Sequence, residues 1–87
     1  MHAVITRVNI ADTENAQAEL TEQVVPRVKQ APGFVTGHWT RKDDSGLSMV
    51  IFDSEENASA AAERIRDIAP EDVTVEDVEV REVTAHA

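Results

Sequence analysis

With 87 residues and no cysteine, the chain is expected to form a single domain (1–87) with a thin core and without disulfides or thiolate chemistry. The net charge of −9 arises in residues 43–87, which carry −10 against +1 in residues 1–42, so nucleic acid and anionic membranes are not expected as partners. No apolar run of about 18 residues could span a membrane, and the first residues lack the order of a signal peptide, so a cytoplasmic location is expected.

The chain begins with a strand pattern followed by a helix pattern. Residues 3–10 alternate in side-chain character, and both faces of this predicted strand are partly apolar. Asp12 is predicted to cap a helix over residues 13–30, because apolar residues then recur every four positions. Pro26 removes one backbone donor within this helix and is expected to bend it near Val25, and Pro32-Gly33 is expected to end it.

A second strand is predicted over residues 34–41, F-V-T-G-H-W-T-R. Strict alternation places Phe34 on the same face as His38, and Trp39 on the opposite face. Gly37 leaves room for a bulky neighbour or for a bulge, and a bulge there would re-aim one of the two side chains. The pattern therefore predicts that either His38 or Trp39, but not both, points into the interior.

A polar turn over residues 42–46 leads into a third strand, 47–52, which is almost entirely apolar and is expected in the middle of a sheet. Asp53 followed by Glu56 resembles a capping box at the start of a second helix, and Pro70 is expected to end that helix. One stripe of this helix is apolar and rich in alanine, which indicates close packing on the sheet: Ala58, Ala61, Ala62, Ile65, Ile68 and Ala69.

The last predicted strand covers residues 73–84, and its alternation slips between Val75 and Val78, as at a β-bulge. The resulting order is β-α-β-β-α-β, which predicts an α+β, ferredoxin-like fold with a four-stranded antiparallel sheet and two helices on one face. The other face of the sheet is then uncovered and partly apolar. A second copy of the chain, packed sheet to sheet, is the expected partner for it.

The segments V-V-P-R-V-K-Q-A-P-G-F, G-H-W and F-D-S-E-E-N-A resemble the dimeric α+β barrel superfamily, and within it the antibiotic biosynthesis monooxygenase-like proteins, over residues 2–84. The resemblance implies a homodimer whose two sheets enclose a barrel. Members include cofactor-independent monooxygenases acting on aromatic polyketides or quinols, and haem-degrading enzymes. Asn9 could match an asparagine of the haem-degrading members, but Phe52 stands where they have tryptophan and the second helix lacks their histidine, so haem degradation is not expected.

The candidate function is therefore cofactor-independent monooxygenation of a small aromatic or quinol-type substrate, with no cofactor and no metal. A base, a group for the developing negative charge and an aromatic surface are needed. The candidate catalytic residues are His38, Asn9 and Arg7, and the candidate ligand-binding residues are Trp39, Met49 and Arg41. The plainer interpretation is that Trp39 packs in the core or the dimer interface and that His38 is an ordinary strand residue.

The rival hypothesis is a non-enzymatic dimeric barrel that binds a metabolite or acts in a stress response. A catalytic pocket should contain a buried titratable group facing a cavity between the sheet and the helices. In a purely structural barrel, large apolar side chains would fill that space, the candidates being Leu47, Met49, Ile51 and Trp39.

Overall fold

The computed structural model describes residues 1–69 and 72–87. Its strands form one antiparallel sheet in the order β2-β3-β1-β4, with the helices on one face, which confirms the α+β, ferredoxin-like fold. No helix of the described ranges is long and apolar enough to cross a membrane. The elements are β1 (His2–Ile10), α1 (Thr13–Glu19), a π-helical turn (Leu20–Val24), α2 (Val25–Lys29), β2 (Phe34–Lys42), β3 (Ser45–Phe52), α3 (Glu55–Ile68) and β4 (Val73–Glu82).

α1, the π-helical turn and α2 form one helical segment within the bounds predicted from the sequence. The Asp12 carboxylate accepts a hydrogen bond from the backbone N–H of Asn15, as expected for the capping residue. Pro26 cannot donate to the carbonyl four residues earlier, and the turn just before it takes the wider π form, in which the N–H of Val25 donates to the carbonyl of Leu20. The predicted disturbance at Pro26 is therefore a π-helical turn within a continuous helix.

The second long helix, α3, begins one residue later than predicted. Ser54 is its capping residue and its hydroxyl accepts from the N–H of Asn57, whereas the Asp53 carboxylate accepts from the Asn57 side chain. The expectation that Asp53 caps α3 was wrong: its carboxylate is engaged by the Asn57 amide, and its N–H donates to the carbonyl of Gly33 in the turn before β2. Gly33 has φ +80°, a conformation that favours glycine, and this explains the P-G-F sequence there. The predicted terminator, Pro70, lies outside the described residues.

The connection between β2 and β3 is shorter than predicted. Only Asp43 and Asp44 form the turn, and Asp43 adopts φ +56°. Gly46, expected in the turn, is a buried residue of β3 that lies against Val8 of β1, where an added Cβ would come within 2.7 Å of the valine. β3 lies between β2 and β1, as its apolar sequence predicted.

β2 contains an unpredicted irregularity. Its register with β3 shifts between Phe34 and Thr36, so Val35 is an extra residue in the strand. Phe34 therefore shares a face with Gly37 and Trp39 instead of with His38, and its ring meets Phe52 edge-on at a centroid distance of 6.4 Å. The strict alternation predicted for this strand was wrong at its first residue, and the bulge does not fall at Gly37.

The predicted slip in β4 is confirmed. Arg7 pairs with Asp77 and the next residue of β1, Val8, pairs with Val75, so Glu76 is the bulged residue. A small core lies between the sheet and the helices, formed by Val4, Val50, Phe52 and Ala58. Parts of the predicted alanine stripe pack against it, namely Ala61, Ala62 and Ile65.

Replacing Gly37 with alanine is expected to displace the Trp39 indole. An added Cβ at this position would lie 2.7 Å from Cη2 and 2.9 Å from Cζ3 of the ring, closer than such atoms approach. We expect Gly37→Ala to lower the free energy of unfolding by about 1–3 kcal/mol and to shift the emission of this single tryptophan. In a Trp39→Leu background, Gly37→Ala should lower the free energy of unfolding much less. An equal loss in both backgrounds would show that the Trp39 ring does not occupy this space.

Candidate ligand-binding site

A cavity of about 140 Å³ lies between the sheet and the helical segments. Its volume is close to the ~150 Å³ of an apolar cavity that accepts benzene. The π-helical turn contributes to its wall beside α1 and α2, and the sheet forms its floor. Apolar side chains dominate the lining, among them Val8, Ile10, Ala16, Leu20, Val24, Val28, Val50, Ile65 and Val75.

The floor of the cavity crosses the sheet along one row of paired residues. Trp39 of β2 pairs with Ser48 of β3, and Ser48 pairs with Thr6 of β1. All three residues line the cavity. Thr6 is 4% exposed, and its hydroxyl oxygen has no hydrogen-bond partner among the described residues. The floor thus places two hydroxyl side chains in one row with an indole, and the other polar residues of the lining are Thr13, Gln17, Thr40 and Arg41.

The structure divides the predicted site residues between the two faces of the sheet. Trp39 and Arg41 line the cavity on the helix side. His38 pairs with Met49, and the two residues line a second pocket on the opposite side, together with Ile5. The alternation of β1 places its remaining candidates on that opposite side as well, where both are exposed: Arg7 and Asn9.

Few groups in the cavity could take part in proton transfer. Among the lining residues that the structure describes, Arg41 is the only one with an ionisable side chain, and Arg41 is exposed. Within residues 1–69 and 72–87, no three His, Asp or Glu side chains lie together as metal ligands would. Of the four large apolar residues expected to fill the space in a purely structural barrel, Leu47 and Trp39 line the cavity, whereas Met49 and Ile51 belong to the opposite face. The cavity is thus open and apolar and has a polar floor.

The sheet face opposite the helices, called the open face below, is apolar at its centre. Its middle strands, β3 and β1, carry Ala3, Ile5, Leu47, Met49 and Ile51. Leu47 is 47% exposed and Met49 is 44% exposed, as is Val35 at the bulge of β2. Polar residues lie on the outer strands of this face: Thr36, His38 and Thr40 on β2, and Asp77, Glu79 and Arg81 on β4.

Thr6, Ser48 and Ala16 are among the cavity residues that the sequence prediction missed. A signal for the first two was present: Thr6 interrupts an apolar face between Val4 and Val8, and Ser48 interrupts the nearly continuous apolar run of β3. A hydroxyl within a buried strand face requires a partner, and two such residues on neighbouring strands indicate a polar spot in the core.

Fold and cavity together define a small α+β protein of ferredoxin-like topology with an apolar pocket between its sheet and helices. No model of a known protein family matches the chain, and no curated protein matches its sequence.

Proposed function

We propose that the chain is a homodimeric α+β barrel that binds one small, mostly apolar, aromatic molecule in the cavity of each protomer. The observation that carries this proposal is the cavity itself, which has the size for a single aromatic ring. Pockets for small molecules are mostly apolar with a few polar groups that set orientation, and this lining has that character. Trp39 offers an aromatic wall against which a ring can pack.

The composition of the open face supports a second copy of the chain as its partner. Its centre is apolar and its borders are polar, which is the arrangement of protein interfaces. A group of exposed Leu, Met and Val side chains on one flat surface is costly to leave in water. Two copies related by a two-fold axis would bury this surface with the same residues on both sides.

Charge on the borders of the open face favours one orientation of the two copies. A two-fold axis parallel to the strands would place β2 of one copy over β4 of its partner. The β2 border carries the positive charge of Lys42, whereas the β4 border carries Asp77, Glu79 and Arg81, and Arg81 forms an ion pair with Glu79. A positively charged border of each copy would then face a border of the other with an excess of negative charge, which is the complementary arrangement.

Filling the cavity is expected to abolish ligand binding. Ala16 of α1 is 6% exposed and lines the cavity, so Ala16→Leu places a larger side chain in the space that a ring would occupy. We expect toluene to quench or shift Trp39 fluorescence in the natural chain, and Ala16→Leu to weaken this binding about tenfold or more, because close-packed interiors do not admit both groups.

The matched control is Ala18→Leu, which makes the same substitution in α1 at an exposed position. This variant should bind toluene as the natural chain does. Equal binding by both variants would place the ligand outside the cavity. No saturable binding of toluene, benzene or phenol by the natural chain, in fluorescence and in heteronuclear NMR spectra, would overturn the proposed function.

Cofactor-independent oxygenation of a quinol-type ligand is the second candidate, and one observation favours it. Arg41 supplies a positive charge at the edge of the cavity that contains Trp39, where it could stabilise the anion of a bound quinol. The lining offers no buried base among the described residues, so the substrate would have to reach the cavity already ionised or lose its proton to water.

Oxygen uptake distinguishes binding from oxygenation. With hydroquinone or catechol as the substrate, oxygenation in the cavity requires uptake that is lost in Ala16→Leu, retained in Ala18→Leu and lowered in Arg41→Gln. If the natural chain and Ala16→Leu take up oxygen at the same rate, the enzymatic candidate is wrong and the binding proposal is unaffected.

A further inference from the structure

The cavity has a closed end and an open end, and the two ends differ in their chemistry. At the closed end, the lining residues belong to the buried core or pack against it: Val28, Trp39, Val50 and Ile65. At the open end, the lining residues are exposed to solvent: Ile10, Gln17 and Arg41. A ligand in this cavity therefore places its apolar part against the core and its polar part towards the solvent, beside Arg41.

Arg41 takes part in this site from a defined position in the sheet. It follows Trp39 by two residues on β2, so the two side chains leave the same face of the strand about 7 Å apart. The hydroxyl of Thr40, between them, donates to the carbonyl of Leu47 and is thereby satisfied within the sheet. An aromatic side chain and a positive charge thus follow one another along the floor of the cavity.

The Arg41 guanidinium has no carboxylate partner within the parts of the chain that the structure describes. The ion pairs found there do not involve it, and the described cavity lining contains no acidic residue. Acidic residues at the same end of the sheet are engaged elsewhere or exposed: the carboxylates of Asp12 and Asp72 both accept from Asn15, and Asp44 is exposed in the turn after β2. The chain has 17 acidic and 8 basic residues, so a cation left unpaired beside an apolar cavity is available to an anionic ligand.

We infer that the ligand of the cavity is an arylalkanoate, whose aromatic ring lies against Trp39 and whose carboxylate pairs with the Arg41 guanidinium. This inference rests on the proposed function and specifies its ligand. The planar guanidinium matches a carboxylate with two parallel N–H···O bonds, and a short aliphatic linker spans the step between the two side chains. A carboxylic acid with a pKa of about 4 is already ionised at neutral pH. Binding therefore needs no base, and the described lining provides none.

The test compares phenylpropionate with its neutral amide, phenylpropionamide, on the natural chain and on Arg41→Gln. The two ligands share their ring and linker and differ in charge. We expect the natural chain to bind the carboxylate more tightly than the amide. Arg41→Gln should weaken carboxylate binding about 5- to 20-fold, because one partly exposed charge-assisted pair is lost, and should change amide binding by less than about twofold. Trp39 fluorescence titration and calorimetry measure the four dissociation constants.

Arg27→Gln is the matched control, because Arg27 is an exposed arginine of α2 that does not line the cavity. It removes the same charge and should bind phenylpropionate as the natural chain does. Arg41→Lys keeps the charge without the planar fork and should bind phenylpropionate more tightly than Arg41→Gln does. Equal weakening in Arg27→Gln and Arg41→Gln would show that the anion responds only to the net charge of the chain, and would overturn the inference.

Ala16→Leu separates binding in the cavity from binding at the surface. This variant should lose phenylpropionate as well as toluene. If it binds phenylpropionate as tightly as the natural chain does, the anion pairs with Arg41 outside the cavity and the inference is wrong.

The outcomes also separate this inference from the proposed function. If the natural chain binds the carboxylate and the amide equally tightly and Arg41→Gln changes neither, the cavity binds rings without recognising a charge. That result overturns the inference alone. If neither of these ligands nor toluene binds the natural chain, both the inference and the proposed function are wrong.

Discussion

Replacing Met49 with glutamate is expected to convert the proposed homodimer into a monomer. Met49 lies near the centre of the open face, is 44% exposed in the single chain and pairs with Ile5 and His38 on the neighbouring strands. In a dimer packed sheet to sheet, this side chain would be buried against the partner. An unpaired carboxylate there would cost about 3–5 kcal/mol, which raises the dimer dissociation constant by 100-fold or more.

Native mass spectrometry and sedimentation velocity over a micromolar concentration range measure this change. Val80→Glu is the matched control, because Val80 is a strand residue that is 36% exposed but pairs with Val4 on the helix side of the sheet. It adds the same charge to an already acidic chain without touching the open face. The control should remain a dimer. A natural chain that is monomeric at these concentrations, or a dimer that survives Met49→Glu, would refute the proposed pairing of open faces.

The parts of the fold that could be predicted are those governed by local periodicity. The alternation in β1, the continuous apolar run of β3 and the slip in β4 each depend on a few neighbouring residues, and the structure confirms all three. The disturbance of the helix at Pro26 could likewise be predicted, because a missing backbone donor disturbs any helix. The form of that disturbance, a π-helical turn, could not be predicted from the proline alone.

The bulge at Val35 could not be predicted from alternation, because the pattern of β2 is equally regular with or without an extra residue. The bulge is explained by a packing contact with a residue that is distant in the sequence. With Val35 inserted, Phe34 turns to the helix side and meets Phe52, which lies 18 positions later in the sequence. The capping of α3 by Ser54 is a similar case: both Asp53 and Ser54 are good caps, and their residue types alone do not decide which of them accepts from the N–H of Asn57.

The candidate site residues were predicted from their residue types. In the structure, the face of the sheet on which a residue lies determines whether it reaches the cavity. His38, Arg7, Asn9 and Met49 have suitable chemistry, but they belong to the face that the helices leave uncovered. Trp39 and Arg41 reach the cavity because they alternate with His38 along β2 and therefore lie on the helix side of the sheet. The more apolar face of β1 was the better guide, since it is the face that helices cover, and a lone threonine within it marks the polar floor of the cavity.

Replacing Phe52 with alanine is expected to give the largest loss of stability. Phe52 is 1% exposed, is one of the two largest fully buried side chains among the described residues, and packs in the cluster formed with Val4, Val50 and Ala58. Removing a buried phenylalanine ring costs about 3–5 kcal/mol. A domain of this size has a total free energy of unfolding of roughly 4–13 kcal/mol, so the variant would lose a large fraction of its stability.

Urea unfolding followed by Trp39 fluorescence and circular dichroism measures this loss. The experiment belongs in the Met49→Glu background, because dissociation of a dimer would otherwise add to the free energy of unfolding. Phe34→Ala is the comparison, since Phe34 makes the edge-on contact with Phe52 but is only partly buried. Phe34→Ala should lower the free energy of unfolding by less than Phe52→Ala does. The loss in the double variant should be about 0.5–1.5 kcal/mol smaller than the sum of the two single losses, because the two rings interact. Additive losses would mean that the rings do not touch, and the bulge at Val35 would then lose its explanation, because only the extra residue turns Phe34 towards Phe52.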